Sequence, residues 1–178
     1  MSPEASTDLI AESEAKLAAG DLDGALAVLQ RAVAAAPTSA LAHSKLGIIY
    51  VHKRQWDAAS AEFSKAIQLD PMYAPAYSNL GNVFRERGQL DQATAQYQKA
   101  ISIDPEYWVA HQNLGIIYKQ QGRVGEAVRE FKTATRLSLR SRGTAYGETS
   151  GSGTPRIGCL RSAAMIVLAA VTLALARR

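Results

Sequence analysis

The feature of this sequence that most constrains its fold is a pattern that repeats every 34 residues. The dipeptide Leu-Gly stands at 46–47, 80–81 and 114–115, and an aromatic residue follows three positions after each glycine. An alanine, an aromatic residue and a second alanine recur further on at the same interval: Ala59, Phe63 and Ala66; Ala93, Tyr97 and Ala100; Ala127, Phe131 and Ala134. A fixed period of this length indicates a solenoid built from one repeated supersecondary unit.

The spacing within each unit predicts two helices. Leu46, Gly47 and Tyr50 share one face of a first helix, and the glycine lets a partner helix approach closely. In the second helix the alanines and the aromatic residue are spaced i, i+4, i+7, which gives one apolar face. The dipeptides Asp-Pro at 70–71 and 104–105 are expected to end second helices. The sequence therefore predicts an all-α fold of antiparallel helix pairs.

The unit 74–107 resembles the tetratricopeptide repeat family. Tyr77-x2-Leu80-Gly81-x2-Phe84, Ala93-x3-Tyr97 and the closing Pro105 follow the pattern of that family. The resemblance implies a right-handed superhelical solenoid, with units at 40–73, 74–107 and 108–141. Residues 6–39 are predicted to be a divergent N-terminal repeat, because they have Glu12-Ser13 in place of Leu-Gly, and a polar departure is expected where one neighbour is missing.

In this family the first helices line a concave face, and the resemblance implies that a peptide or a partner segment binds there. By position in the repeat, that face comprises Ser44, Lys45, Ile48, Ser78, Asn79, Asn82, Arg85, Gln112, Asn113, Ile116 and Lys119. The predicted binding residues among them are Lys45, Asn79, Asn82, Arg85, Gln112, Asn113 and Lys119. Asn79 and Asn113 lie 34 residues apart, and an asparagine amide suits both the C=O and the N–H of a peptide backbone. The opposing interpretation is that asparagine simply suits a solvated helix face.

Two alternatives concern what such a face would bind. Asn79 and Asn113 are similar to the asparagine ladder of O-linked N-acetylglucosamine transferases, although Lys45 interrupts that ladder. The resemblance keeps open a regulatory or substrate-recognition arm of such a glycosyltransferase. The carboxylate clamp of chaperone-binding repeats is disfavoured, since only Asn82 and Asn113 fall at clamp positions.

The motifs that would indicate chemistry are missing from the sequence. It contains no Gly-rich phosphate loop followed by Lys-Ser/Thr, no G-x-S-x-G and no H-E-x-x-H. His43, His52 and His111 are too scattered for a metal site, and His43 and His111 share the position of Tyr77 in the repeat, so a structural role is predicted for both. We therefore expect a binding protein that is not an enzyme, with no metal and no cofactor.

Charge and targeting signals narrow the partners. Residues 1–139 carry 14 basic and 15 acidic side chains, so the repeats lack the basic stripe of a nucleic-acid binder, and no nucleic-acid partner is expected. The N-terminus lacks the basic start and apolar run of a signal peptide, and the single Cys159 cannot form an internal disulfide. The expected location is cytoplasmic, or membrane-associated with a cytoplasmic repeat domain.

The repeat pattern lapses after Ser138, where Leu139 replaces the closing proline. Residues 142–162 are predicted to be a flexible linker rich in Gly and Ser, and 163–176 are apolar on all sides. Fourteen residues of helix reach about 21 Å against about 30 Å of hydrocarbon, so this segment is a short candidate for a membrane anchor. A membrane-tethered assembly factor, an unstructured tail and a tail produced by a shifted reading frame all stay open.

The last repeat has no covering helix under any of these alternatives. The apolar face of Ala127, Phe131 and Ala134 would then lack the helix that usually covers it. We predict either fraying of this repeat or self-association through it.

Overall fold

The computed structural model describes residues 3–147 of the chain, with side chains from 6 to 141. Within that range it contains eight α-helices and no strand. The helices are α1 (Pro3–Ala18), α2 (Leu22–Ala35), α3 (Ala40–His52), α4 (Trp56–Leu69), α5 (Ala74–Glu86), α6 (Leu90–Ile103), α7 (Trp108–Gln120) and α8 (Val124–Gly147). The described residues up to Ser141 form one compact unit. The predicted all-α array of helix pairs is confirmed.

In each repeat the turn between the two helices contains one residue with a left-handed backbone conformation. Gly20, Gly88 and Gly122 have φ of 80°, 74° and 73°, and Arg54 takes the same position with φ of 56°. Positive φ favours glycine, because a Cβ clashes with the backbone there. The four equivalent positions therefore make the same turn, and 40–73 is the one repeat that makes it with a side chain.

At the repeated glycine of the first helix, an aromatic ring of the second helix occupies the space that a side chain would need. A Cβ on Gly47 would lie 2.7 Å from Cε1 of Phe63, and a Cβ on Gly81 would lie 2.7 Å from Cε1 of Tyr97. Both rings are fully buried. The close approach of the two helices in each pair therefore depends on having no side chain at this position.

The first repeat keeps this packing with a different pair of residues. Ser13 occupies the glycine position and Leu29 the aromatic position, and both are buried. The Ser13 hydroxyl donates to the carbonyl oxygen of Ile10 at 2.6 Å, so it needs no partner from α2. A smaller side chain on α2 leaves room for a Cβ on α1. The two helices α1 and α2 pack against each other as a pair.

Neighbouring repeats meet where each first helix packs against both helices of the repeat before it, chiefly against the second helix. Among α1 to α7, each first helix contacts the next first helix and the second helix before it, whereas α2, α4 and α6 do not contact one another. The first helices thus lie side by side and present one continuous face, defined here as the first-helix face. This arrangement places the predicted binding residues next to each other.

The end of the array differs from the prediction. The linker was predicted from residue 142, but α8 continues without a break to Gly147. The physical reason is the missing proline: Pro71 and Pro105 stand just beyond α4 and α6, whereas Leu139 at the same position leaves the helix free to continue. Residues 148–162 of the predicted linker and the apolar segment 163–176 lie outside the described residues.

No described helix is both long enough and apolar enough to cross a membrane.

Candidate protein-binding face

Side chains on the first-helix face interact across repeats at a fixed interval of 31 residues. The Lys45 ammonium donates to Oε1 of Glu14 at 2.5 Å, and Nδ2 of Asn113 donates to Oδ1 of Asn82 at 3.1 Å. The equivalent pair between these two is Asn79 with Ile48. Isoleucine has no hydrogen-bonding atom in its side chain, so the middle pair lacks the polar contact that the other two make.

Asn79 is consequently the asparagine on this face whose counterpart in the preceding repeat is apolar. Its side chain is half-buried on α5, and within the described residues it makes no hydrogen bond. An unpaired amide offers two donors and an acceptor to a ligand. Of the three predicted asparagines, Asn79 is the one whose amide is unpaired within the described residues.

Asn82 has a structural role besides the binding role that its position in the repeat predicts. The buried Tyr97 hydroxyl donates to Oδ1 of Asn82 at 2.8 Å, and the same oxygen accepts from Asn113. Burial raises the pKa of Tyr97 to about 12, so its hydroxyl stays protonated and acts as a donor at neutral pH. Asn82 therefore satisfies a buried hydroxyl and joins two repeats.

A comparison of equivalent positions in the three repeats points to this role of Asn82. In the unit before, the equivalent residues are Ile48 and Phe63; in the unit after, they are Ile116 and Phe131. Asparagine appears in the one repeat whose aromatic residue is a tyrosine. A buried hydroxyl without a partner would be costly, which explains why the two residues change together.

The other predicted residues differ in how available they are. Lys45 forms an ion pair with Glu14, and Arg85 donates to Oε1 of Glu86 at 3.0 Å. Gln112 and Lys119 are exposed on α7 and make no side-chain hydrogen bond within the described residues. Ser44 and Ser78, which the repeat position also placed on this face, are buried and cannot reach a ligand.

The structural role predicted for the two histidines is confirmed. Nδ1 of His43 lies 2.7 Å from Oε2 of Glu62, and its Nε2 lies 3.1 Å from the carbonyl oxygen of Pro37. His111 has the same contacts, at the same distances, with Glu130 and Pro105. Each histidine ties the start of a first helix to its own second helix. Within the described residues no group of His, Cys, Asp and Glu could hold a metal ion.

The fold and this face define a helical-repeat protein of the interaction type. Family models for tetratricopeptide repeats match residues 16–83, 81–122 and 109–140. The chain belongs to the tetratricopeptide repeat family, as its sequence predicted. No curated protein sequence matches it significantly.

Solved structures show the same relationship. A crystal structure of MamA is 31% identical, with 79% of this chain and 82% of MamA covered and a TM-score of 0.65. The first repeat domain of Spaghetti (RPAP3), bound to an HSP90 peptide, is 18% identical over 68% of this chain and 97% of that domain, with a TM-score of 0.63. An O-GlcNAc transferase from Thermobaculum terrenum is 24% identical over 65% of this chain and 22% of the enzyme, with a TM-score of 0.61. The last two similarities show the fold alone.

Proposed function

We propose that the chain is a scaffold that binds an extended segment of a partner protein along the first-helix face. The observation that carries this proposal is the unpaired Asn79 amide beside the bonded pair of Asn82 and Asn113. Two findings support a protein segment as the ligand. The chain belongs to a family of interaction repeats, and the similar domain of RPAP3 binds a peptide. The family and these similar structures indicate an interaction domain rather than a catalytic one.

The residues have different roles in this proposal. Asn79 reads the partner's backbone with its donors and its acceptor. Asn113 uses one N–H for Asn82 and keeps its Oδ1 for a backbone N–H of the ligand. Lys119 adds a free positive charge on α7, so a segment with a carboxylate near Asn113 is favoured over a basic one. Lys45 and Arg85 contribute less, because acidic neighbours already bind both of them.

The glycosyltransferase arm and the membrane-tethered assembly factor stay predictions. The similarity to the O-GlcNAc transferase shows the fold alone, and residues 163–176 lie outside the described part of the chain. Neither alternative changes which residues of the first-helix face are free to bind.

The test is affinity capture with the tagged full chain from a native lysate, in parallel with Asn79→Ala. The matched control is Gln92→Ala, which removes an exposed amide from α6, away from the first-helix face. We expect at least one protein that the wild type and Gln92→Ala retain and that Asn79→Ala loses. Thermal unfolding should be the same for all three, since Asn79 makes no bond within the described fold.

A partner recovered in this way is then measured by titration. Asn79→Ala and Lys119→Ala should each weaken binding by about threefold to tenfold, as expected for one lost hydrogen bond or one exposed charge pair. Partners that bind the wild type and both variants with equal affinity would show that this face is only a solvated surface.

A further inference from the structure

The last helix carries an apolar surface that the described residues leave uncovered. It is lined by Val128, Phe131, Lys132, Thr135, Arg136 and Leu139, and is defined here as the terminal groove. The Leu139 side chain is 62% exposed and that of Val128 is 43% exposed. Exposed apolar residues in a contiguous patch mark interaction surfaces more often than isolated ones do.

The same groove occurs three more times in the array, and a helix fills it each time. α3 packs against α1 and α2, α5 against α3 and α4, and α7 against α5 and α6. Each inserted helix buries an alanine, a leucine and a β-branched residue at i, i+4, i+7. These are Ala42, Leu46 and Ile49; Ala76, Leu80 and Val83; Ala110, Leu114 and Ile117. The array itself therefore gives the pattern of side chains that this kind of groove accepts.

Within the described residues, a second copy of the chain does not offer this pattern on a free helix. In α1 the same three positions are Asp8, Glu12 and Ala15, all exposed. Glu12 would have to lie against the ring of Phe131, where a leucine lies in the inner repeats, and burying an unpaired carboxylate there is unfavourable. The equivalent faces of α3, α5 and α7 are already buried within their own array.

The charges beside the groove identify a second property of the ligand. Both carboxylates in the described part of α8 already have partners: Glu126 binds Arg123, and Glu130 binds His111. Two cations that line the groove have none within the described residues: Lys132 and Arg136. Two such surfaces would repel each other, whereas a helix with carboxylates beside its apolar stripe would neutralise them.

The apolar segment at the end of the chain matches this description only in part. Ala164, Leu168 and Val171 have the i, i+4, i+7 spacing, but the nearest charged residues in sequence are Arg161, Arg177 and Arg178. Like charges would then meet Lys132 and Arg136. The charge pattern therefore favours a helix from another protein.

We propose that the terminal groove binds an amphipathic helix of a partner protein, with a small residue, Leu and Ile or Val at i, i+4, i+7 and with acidic flanks. This site is separate from the first-helix face. A ligand there would take the place that the next repeat's first helix takes elsewhere, and would complete the packing around Phe131.

The test uses a fluorescein-labelled synthetic helix of about four turns with Ala, Leu and Ile at the required spacing and Glu at the flanking positions. Its matched control has Lys in place of Glu. Binding to the full chain is followed by fluorescence anisotropy, with the oligomeric state checked by light scattering. We expect the Glu probe to bind at least about tenfold more tightly than the Lys probe, from two or three exposed charge pairs.

Variants locate the site. Leu139→Asp should weaken the Glu probe about tenfold by removing apolar contact, and Lys132→Glu with Arg136→Glu should reverse the preference toward the Lys probe. Lys99→Glu, which reverses an exposed charge on α6, should leave the affinity for both probes unchanged. Asn79→Ala should also leave probe binding intact, which separates this result from the proposed function.

Equal binding of both probes would overturn the proposal. So would a dimer that excludes the probe, or probe binding that appears only after residues 148–178 are removed, because either would identify a different occupant.

Discussion

The inner repeat 74–107 and the last repeat 108–141 share their sequence pattern but differ in what covers them. Tyr97 is fully buried because α7 packs over it, whereas its equivalent Phe131 is only half-buried at the end of the array. Asn82 binds Tyr97 in the inner repeat, and Ile116 stands at the same position in the last one. Pro105 follows α6, while Leu139 lies within α8.

This difference shows that a repeat's own sequence does not determine how well it is packed. The repeated spacing builds the helix pair, but the next repeat also packs against the aromatic residue, as Leu114 and Ile117 do against Tyr97. The inner repeat should therefore respond strongly to changes that the last repeat tolerates.

The largest expected effect comes from the glycine beneath each ring. A Cβ on Gly81 would lie 2.7 Å from Tyr97, and a Cβ on Gly115 would lie 2.8 Å from Phe131. Gly81→Ala should destabilise the fold by about 3 kcal/mol, because a ring packed on all sides cannot move, and Gly115→Ala by about 1 kcal/mol, because Phe131 can shift toward the open side. Urea denaturation followed by circular dichroism measures both values. Equal losses would show that the last repeat is packed as tightly as the inner one.

The next effect tests the role of Asn82. Asn82→Ile should cost about 2 kcal/mol, because it leaves the buried Tyr97 hydroxyl without an acceptor. The double variant Asn82→Ile/Tyr97→Phe reproduces the pair of Ile48 and Phe63 from the preceding repeat, and should recover most of the loss. Additive losses in this double-mutant cycle would contradict the assignment.

The buried tyrosine also predicts a dependence on high pH. Burial raises the pKa of folded Tyr97 to about 12, above the usual value of 10.0, so its contribution to stability is complete below pH 10 and is lost as the pH rises toward 12. At pH 11 the wild type should lose about 1 kcal/mol through this group, and Tyr97→Phe should lose correspondingly less. Tyr73 and Tyr107 also have raised pKa values through burial, so a smaller loss should remain in the variant. Identical pH profiles for the two proteins would rule out a buried, protonated Tyr97.

The smallest effect concerns the two ends of the array. Asp8→Ala, Glu12→Leu and Ala15→Ile together give α1 the apolar pattern of the inner first helices. The N-terminal end should then fit the terminal groove of another copy, and weak head-to-tail association should appear in sedimentation velocity as the concentration rises. Adding Leu139→Asp should abolish it. A triple variant that stays monomeric at every concentration would argue against a groove open to helices.

Much of the fold could be predicted from the sequence, because the Leu-Gly pairs at 46–47, 80–81 and 114–115 make contacts within their own repeat, so the pattern recurs in every unit. Contacts between repeats were harder to predict. Asn82 was assigned to a ligand, although comparing its position with Ile48 and Ile116 would have linked it to Tyr97. The extension of α8 to Gly147 could not be predicted from composition, since Gly and Ser beyond residue 141 indicated a linker. Whether an asparagine of the first-helix face is unpaired depends on the side chain opposite it in the preceding repeat: Asn113 meets Asn82, whereas Asn79 meets Ile48.

An open end of the array is tested most directly by native-state amide hydrogen exchange on the full chain, at a concentration where light scattering shows a monomer. We expect amides of α8 between Ala127 and Leu137 to exchange faster than those of α6 between Ala93 and Ile103, and to slow when the Glu-flanked probe is added. Protection of α8 equal to that of α6 in the free monomer would contradict an open end at α8.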